Sequence, residues 1–327
     1  MSKLVTIFGG SGFVGRYVAR RLAKEGWRIR IAVRRPNEAL FLKPYGSVGQ
    51  VEPVFCNIRD DESVRRVMAE ADAVVNCVGI LSPRGANTHQ AVQAEGAGRV
   101  ARIAAEMGVA RLVHISAIGA DANAGSLYAR TKAEGEAAVE AAFPGAVILR
   151  PSIIFGPEDD FFNRFAAMAR NWPILPVVHG ATRFQPVYVD DVARAVVAGL
   201  RGAAPGIYEL GGPDAGRFHA LMEQMLTIIM RKRRIWDVPV GLMQVTAGLL
   251  DGVERLTGGL IPNAAVSRDQ LKMLAHDNVV MPGARGFAEL GITPLAFEAV
   301  LPEYLWRFRP AGQYAAIKGS AKNLRKV

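Results

Sequence analysis

Residues 4–15 read Leu4-Val5-Thr6-Ile7-Phe8-Gly9-Gly10-Ser11-Gly12-Phe13-Val14-Gly15. The first five are apolar or β-branched and predict a short buried strand; the apolar spacing from Phe13 to Lys24 predicts a helix behind it. Between the two stands a Gly-x-x-Gly-x-x-Gly turn. Gly9 allows the tight turn, Gly12 lets backbone amides approach a pyrophosphate at the helix N-terminus, and Gly15 permits close packing of helix on strand. The spacing alone is a weak signal. Its position between the first strand and the first helix predicts a dinucleotide-binding turn.

The same alternation runs outward from this turn. Strands are expected at Ile29–Val33, Val51–Phe55, Ala73–Cys77, Leu112–Ile115 and Ala146–Leu149. Between them, Val64, Val67 and Met68, and then Val100, Ile103 and Ala104, recur at helical spacing. Such alternation requires crossover connections, so the fold class is α/β: a doubly wound parallel sheet covered on both faces. Past residue 150, Pro151, Pro157, Pro173, Pro176 and Pro186 read as loop punctuation. Helices are expected near 189–201 and 217–230, and an apolar helical stretch at about 240–256. This places a nucleotide-binding domain at residues 1–200 and a smaller lobe with a basic tail at 201–327. The chain is expected to return to the sheet near Tyr188 and Tyr208.

Composition narrows the class. With 327 residues, 50% of them hydrophobic and 21% charged, the chain can build a core and is not a disordered or collagen-like sequence. No apolar run reaches the roughly 18 residues of a membrane span. Met1-Ser2-Lys3 leads directly into the first strand, so neither a signal nor a transit peptide is expected. Cys56 and Cys77 are too few for a disulfide framework and lack metal-ligand spacing, which suits a reducing cytosol and no metal. Forty basic residues against thirty acidic give +10. The excess is uneven: Arg231-Lys232-Arg233-Arg234 form one cluster, and Arg307, Arg309, Lys318, Lys322, Arg325 and Lys326 follow the last acid, Glu303. Basic clusters suit anionic lipid or an acidic protein, or are ordinary solvated faces. No nucleic-acid recognition motif accompanies them.

The chemistry-bearing residues follow the strand ends. After the second strand come Arg34 and Arg35, where an NAD site usually carries a carboxylate; guanidinium there favours the 2′-phosphate of NADP(H). Asn57 is placed to meet the adenine edge, and Asn76 and Gly79 follow the fourth strand where backbone skirts the cofactor; Ile58, Cys77 and Val78 beside them are expected cofactor contacts too. Ser116 follows the fifth strand. Tyr128 and Lys132 share a helix face at i and i+4, an arrangement in which the ammonium is expected to depress the phenol's pKa and fit it for acid/base work, with Ser116 polarising a carbonyl.

The glycine turn, Ser116, the Tyr-x-x-x-Lys pair and Arg150-Pro151-Ser152 with Phe155-Gly156 resemble the extended and atypical short-chain dehydrogenase/reductase superfamily, a Rossmann-fold group. The resemblance adds Ser11, Phe13, Val14, Pro151 and Ile153 to the expected NADPH contacts. Within it, His114 to Ala120, Lys132 to Glu136, Gly156 to Asp159, Gln185 to Val192, Ser267 to Gln270 and Asp277 to Val280 are similar to the nucleotide-binding accessory subunits of respiratory complex I, NADH:ubiquinone oxidoreductase, of the alpha-subcomplex subunit 9 type. That resemblance implies a tightly held NADPH of structural role and docking among the peripheral-arm subunits near the membrane and quinone site. It also implies no established turnover and, without a transit peptide, a peripheral place on the cytoplasmic face of a bacterial inner membrane. Ser116, Tyr128 and Lys132 leave open a free-standing NADP(H)-dependent reductase or epimerase-like enzyme, or a regulatory NADP sensor. Gln93 departs from the Asn that commonly stands there, and the single Ser116-Ala117 from the hydroxyl pair of many epimerases.

Overall fold

Strand β1 (Leu4–Phe8) is buried along its whole length and lies inside a seven-stranded parallel sheet. The computed structural model describes residues 2–243 and 268–314. The sheet also contains β2 (Arg28–Val33), β3 (Val51–Phe55), β4 (Ala73–Asn76), β5 (Arg111–Ile115), β6 (Val147–Pro151) and β11 (Gly206–Leu210), in the order β11-β6-β5-β4-β1-β2-β3. Strand order reverses between β1 and β4, and ligands of doubly wound sheets bind at such a point. Val5, Ile7, Val74, Val75, Val113, Ile148 and Leu149 are all inaccessible, as a sheet covered on both faces demands. Pro53 is tolerated because β3 is an edge strand.

Helices α1 (Phe13–Lys24) and α6 (Val189–Arg201) pack together on one face, where Arg21 Nε donates to Asp190 Oδ1 at 2.7 Å. Helices α2 (Asp61–Met68), α3 (Glu95–Glu106) and α4 (Leu127–Ala142) cover the other. A π-helical turn, Gln90–Ala94, runs into α3. Helix α4 crosses this turn closely: a Cβ on Gly135 would stand 2.4 Å from the Gln93 carbonyl oxygen.

The chain forms two compact units that interleave instead of dividing at residue 200. The first takes Met1–Ser152, Val189–Gly211 and Val280–Pro294. Two returns explain this: α6 is needed to cover β5 and β6, and β11 extends the sheet by pairing Tyr208 with Leu149. The second unit takes Ile153–Tyr188 and the described parts of Gly212–Val279 and Leu295–Val327. It holds three two-stranded ribbons: β7 (Ile154–Phe155) with β10 (Val187–Tyr188), β8 (Ile174–Val177) with β13 (Arg234–Asp237), and β9 (Arg183–Phe184) with β12 (Gly216–Arg217). Pro176, expected in a loop, sits inside β8. Its helices are α5 (Phe162–Asn171), α7 (Phe218–Ile228), α8 (Arg268–Leu274) and α9 (Phe297–Leu305), around a core of Phe155, Phe162, Phe184 and Phe218.

The motifs quoted from the second half of the sequence stitch this unit together. Asp159 accepts from Tyr304 Oη at 2.5 Å and from the Gly156 amide at 3.1 Å. Asn278 Oδ1 accepts from the Ile153 amide at 3.1 Å, and Asp277 Oδ1 from the Arg183 amide at 2.8 Å. Most of the apolar stretch expected at 240–256, Ser267, and the tail residues Lys318, Lys322, Arg325 and Lys326 lie outside the described residues. Among the described residues, no helix is long and apolar enough to cross a membrane.

Candidate dinucleotide and Ser-Tyr-Lys site

The glycine turn is built as a cradle. Gly9 adopts φ +72°, open to glycine at little cost, and its carbonyl oxygen accepts from the Gly12 amide at 3.0 Å. A Cβ on Gly15 would stand 2.5 Å from that oxygen and 2.6 Å from Gly10 Cα, so only glycine lets α1 start this close to β1. Gly12 caps α1 in an extended conformation with no side-chain cap, and the first turn carries no acid. By contrast Asp60 caps α2 through the Ser63 amide at 2.6 Å, and Ser126 caps α4 through Ala129. The open α1 terminus therefore leaves amide donors and the positive end of the helix dipole for an anion. Ser11, Phe13 and Val14 are half-buried around it, and the Ser11 carbonyl accepts from Arg16 Nη2 at 3.2 Å.

The other expected residues follow the C-terminal ends of neighbouring strands. Arg34 and Arg35 are exposed beyond β2; Arg35 is tied to Glu38 at 2.9 Å, whereas Arg34 has no carboxylate partner among the described residues. Asn57 spends its Oδ1 on the Arg59 amide at 3.2 Å, and Ile58 is buried beside it. After β4, the half-buried Cys77 and Val78 pass against the glycine turn, within 3.2 Å of where a Gly9 Cβ would be. A Cβ on Gly79 would stand 3.5 Å from Lys132 Nζ. The Pro151 carbonyl at the end of β6 accepts from the Ile118 amide at 3.0 Å. Ile153 falls in the second unit.

Lys132 is buried, donates to the Ile115 carbonyl at 3.1 Å, and lies 6.0 Å from the Tyr128 ring centroid. Burial pulls its pKa down to about 8, opposed by the Glu136 carboxylate one helical turn on. The Tyr128 phenol does not follow the expected direction. The ring is half-buried overall, yet burial of the phenol pushes it up to about 12. Ser116 is buried with its amide donating to Leu149 O at 2.7 Å, while its hydroxyl has no partner among the described residues. A buried orphan hydroxyl costs about 1–3 kcal/mol and suits a ligand oxygen.

Four residues not read as part of the site frame it. His89 is buried, stands edge-to-face on Tyr128 with centroids 5.9 Å apart, and has Nδ1 2.6 Å from Gln93 Nε2. Glu136 holds Arg150 in a bidentate pair at 2.9 and 2.5 Å, fixing α4 to β6. Arg150 also lies 3.5 Å from Glu209 on β11. The i,i+4 spacing of Lys132 and Glu136 was the available signal; nothing local marks His89, whose contact depends on the π-turn.

The first unit thus sets an uncapped helix N-terminus with free amide donors beside strand ends that lead to Lys132, with Tyr128 and the orphan Ser116 hydroxyl on the same unit. The chain belongs to the NAD dependent epimerase/dehydratase family, whose model matches residues 5–211. Among its relatives it is 34% identical to NADH dehydrogenase [ubiquinone] 1 alpha subcomplex subunit 9, mitochondrial, of Arabidopsis thaliana, over 94% of this chain and 79% of that protein. It is 31% identical to the ceramide reductase of Caulobacter vibrioides, over 78% of this chain and 79% of that protein. Its fold matches the Bordetella bronchiseptica enzyme WbmH, solved with NAD+, at a TM-score of 0.70 and 16% identity, over 95% of this chain and all of that one.

Proposed function

We propose that the chain binds NADPH and serves as a non-catalytic accessory subunit of respiratory complex I, on the peripheral arm near the membrane and quinone site. It sits on the cytoplasmic face of a bacterial inner membrane. The similarity to subunit 9 along 94% of the chain carries this reading. The cradle supports the cofactor half: Gly9, Gly12 and Gly15 would hold the pyrophosphate against α1, with Ser11, Phe13 and Val14 around it. Arg34 and Arg35 would take the 2′-phosphate, and Asn57, Ile58, Cys77, Val78, Gly79 and Pro151 would line the remainder. A bound nicotinamide could supply a hydride, which the accessory-subunit reading leaves unused. Lys132 would hold the ribose, and Tyr128 and Ser116 would fix the nicotinamide end.

A second reading, an NADP(H)-dependent reductase or epimerase-like enzyme, is favoured by one observation: Ser116, next to the Ile115 carbonyl that Lys132 holds, keeps a buried hydroxyl with no partner among the described residues. The ceramide reductase relative is of this kind. Purification in mild detergent separates the two. The subunit reading expects co-migration with a large membrane complex on native gels and near-stoichiometric NADPH or NADP+ released on denaturation. Migration as a small soluble species, or release of NAD(H), refutes it. Tyr128→Phe should leave assembly and quinone reduction largely unchanged; a large fall in turnover with assembly intact would favour the enzyme reading.

A further inference from the structure

The β8–β13 ribbon of the second unit is patterned inside out. Its register pairs Ile174 with Arg234, Leu175 with Ile235, and Pro176 with Trp236. Leu175 and Ile235 turn inward onto the aromatic core. Side chains alternate along a strand, so Ile174 and Pro176 share the outer face with Arg234 and Trp236; Trp172 and Lys232, each two residues before its strand, are exposed as well. Trp172 is 59% exposed, Ile174 43% and Trp236 50%. A solvated face would carry polar residues there. The chain has four tryptophans, and the three in this unit, Trp306 included, all stand in the open.

Among the described residues, the cations around this face lack carboxylate partners. In the first unit Arg21, Arg65, Arg99, Arg102, Arg150 and Arg194 each hold a carboxylate. Among the described residues, Arg170, Arg231, Lys232, Arg233 and Arg234 hold none. Helix capping accounts for part of this: Arg233 Nε donates to Ala169 O at 2.7 Å, in the last turn of α5. It does not account for Lys232 and Arg234. The adjoining acids, Glu223 and Asp237, pair with neither cation among the described residues; their carboxylates lie 3.7 and 3.9 Å from the His219 ring. Arg231 is held below its usual pKa by burial and by Arg233 and Arg170, so the cluster is mutually repulsive as it stands.

We propose that the outer face of this ribbon, Trp172, Ile174 and Trp236 flanked by Lys232 and Arg234, docks on an anionic lipid bilayer. Charge complementarity selects an anionic surface. Exposed indoles and an isoleucine beside the cations suit the headgroup boundary, where a ring keeps its N–H wet and its body dry. The inference stands on the ribbon alone and holds whichever nucleotide, if any, the first unit carries; nucleotide content of the same variants tells the two readings apart.

The test is co-sedimentation of the full chain with vesicles of phosphatidylcholine containing about one-third phosphatidylglycerol, read with tryptophan emission. The wild-type protein should bind at low salt with a blue shift, bind pure phosphatidylcholine far less, and be released at about 1 M salt. Lys232→Ala with Arg234→Ala should weaken binding about fivefold per cation, roughly 25-fold together. Lys232→Arg with Arg234→Lys should restore it, and Trp172→Ser with Trp236→Ser should abolish the blue shift. Unchanged melting midpoints exclude unfolding as the cause. Equal binding by the alanine pair, no binding by the wild-type chain at low salt, or binding to soluble polyglutamate that matches the vesicles would each overturn the proposal, the last in favour of an acidic protein.

Discussion

Replacing His114 with leucine should stabilise the first unit and remove part of its acid sensitivity. His114 is 1% exposed on β5, between Asn76 of β4 and Ile148 of β6, and neither ring nitrogen has a partner among the described residues. Burial, with a smaller push from the Lys132 ammonium, pulls its pKa from 6.5 to about 3. The unfolded chain therefore takes up a proton below about pH 6.5 that the folded chain refuses until about pH 3. The sign follows: stability is full above that interval and lost as pH falls through it, approaching a loss of about 5 kcal/mol at the acid end. Independently of pH, an orphaned imidazole costs about 1–3 kcal/mol, offset by under about 1.5 for the change of shape. Urea unfolding at neutral pH should thus show the leucine variant more stable by roughly 1–2 kcal/mol, widening by about 2 near pH 5. Equal or lower stability with the wild-type pH slope would refute the argument and place a hydrogen-bond partner, such as a buried water, on the ring.

Gly15→Ala should destabilise the chain and abolish nucleotide retention, since the new carbon meets backbone at 2.5 Å; Gly12→Ala, with one contact at 3.1 Å, should be milder, as melting curves with and without nucleotide will tell. Arg34→Ala should weaken NADPH by about 1.5–3 kcal/mol while sparing NADH, and Arg35→Ala, already engaged by Glu38, should do less; titration with both nucleotides is the check. Glu136→Gln should cost about 3 kcal/mol in urea unfolding, because it strips Arg150 of its bidentate partner and leaves the longer Glu209 contact.

Much of the sheet could be read from short-range pattern. Helix α1 begins and ends at the residues expected, and six strands fall within a residue or two, because a strand buried on both faces writes its burial directly into Val, Ile and Leu. The glycine turn was legible for the same reason: Gly9 and Gly15 answer to constraints within the turn itself. What failed depended on distance in space. Tyr128 at i,i+4 from Lys132 looked like a depressed phenol, but spacing says nothing of how deeply the pair is buried, and burial decides the direction. The β8–β13 ribbon joins residues about sixty apart, and Pro176 concealed one of its strands. The return of the chain near Tyr188 and Tyr208 was expected, but a single division at 200 did not foresee that Ile153–Tyr188 joins the second unit, a grouping set by contacts far apart in sequence.

The π-turn at Gln90–Ala94 makes backbone length, instead of residue identity, the determinant of what faces Tyr128. Such a turn accommodates one residue more than an α-helical path would. Removing any one residue from it would let the segment relax to ordinary pitch and swing His89 by about 100° around the helix axis. The imidazole would lose Gln93 and leave the tyrosine ring. Two chains with the same Ser116, Tyr128 and Lys132 but differing by one residue here would thus present different walls to the phenol. Gly135, which leaves room for the Gln93 carbonyl, would then face a different part of the backbone. A deletion scan across 90–94 would change this wall in discrete steps that point substitutions cannot reproduce.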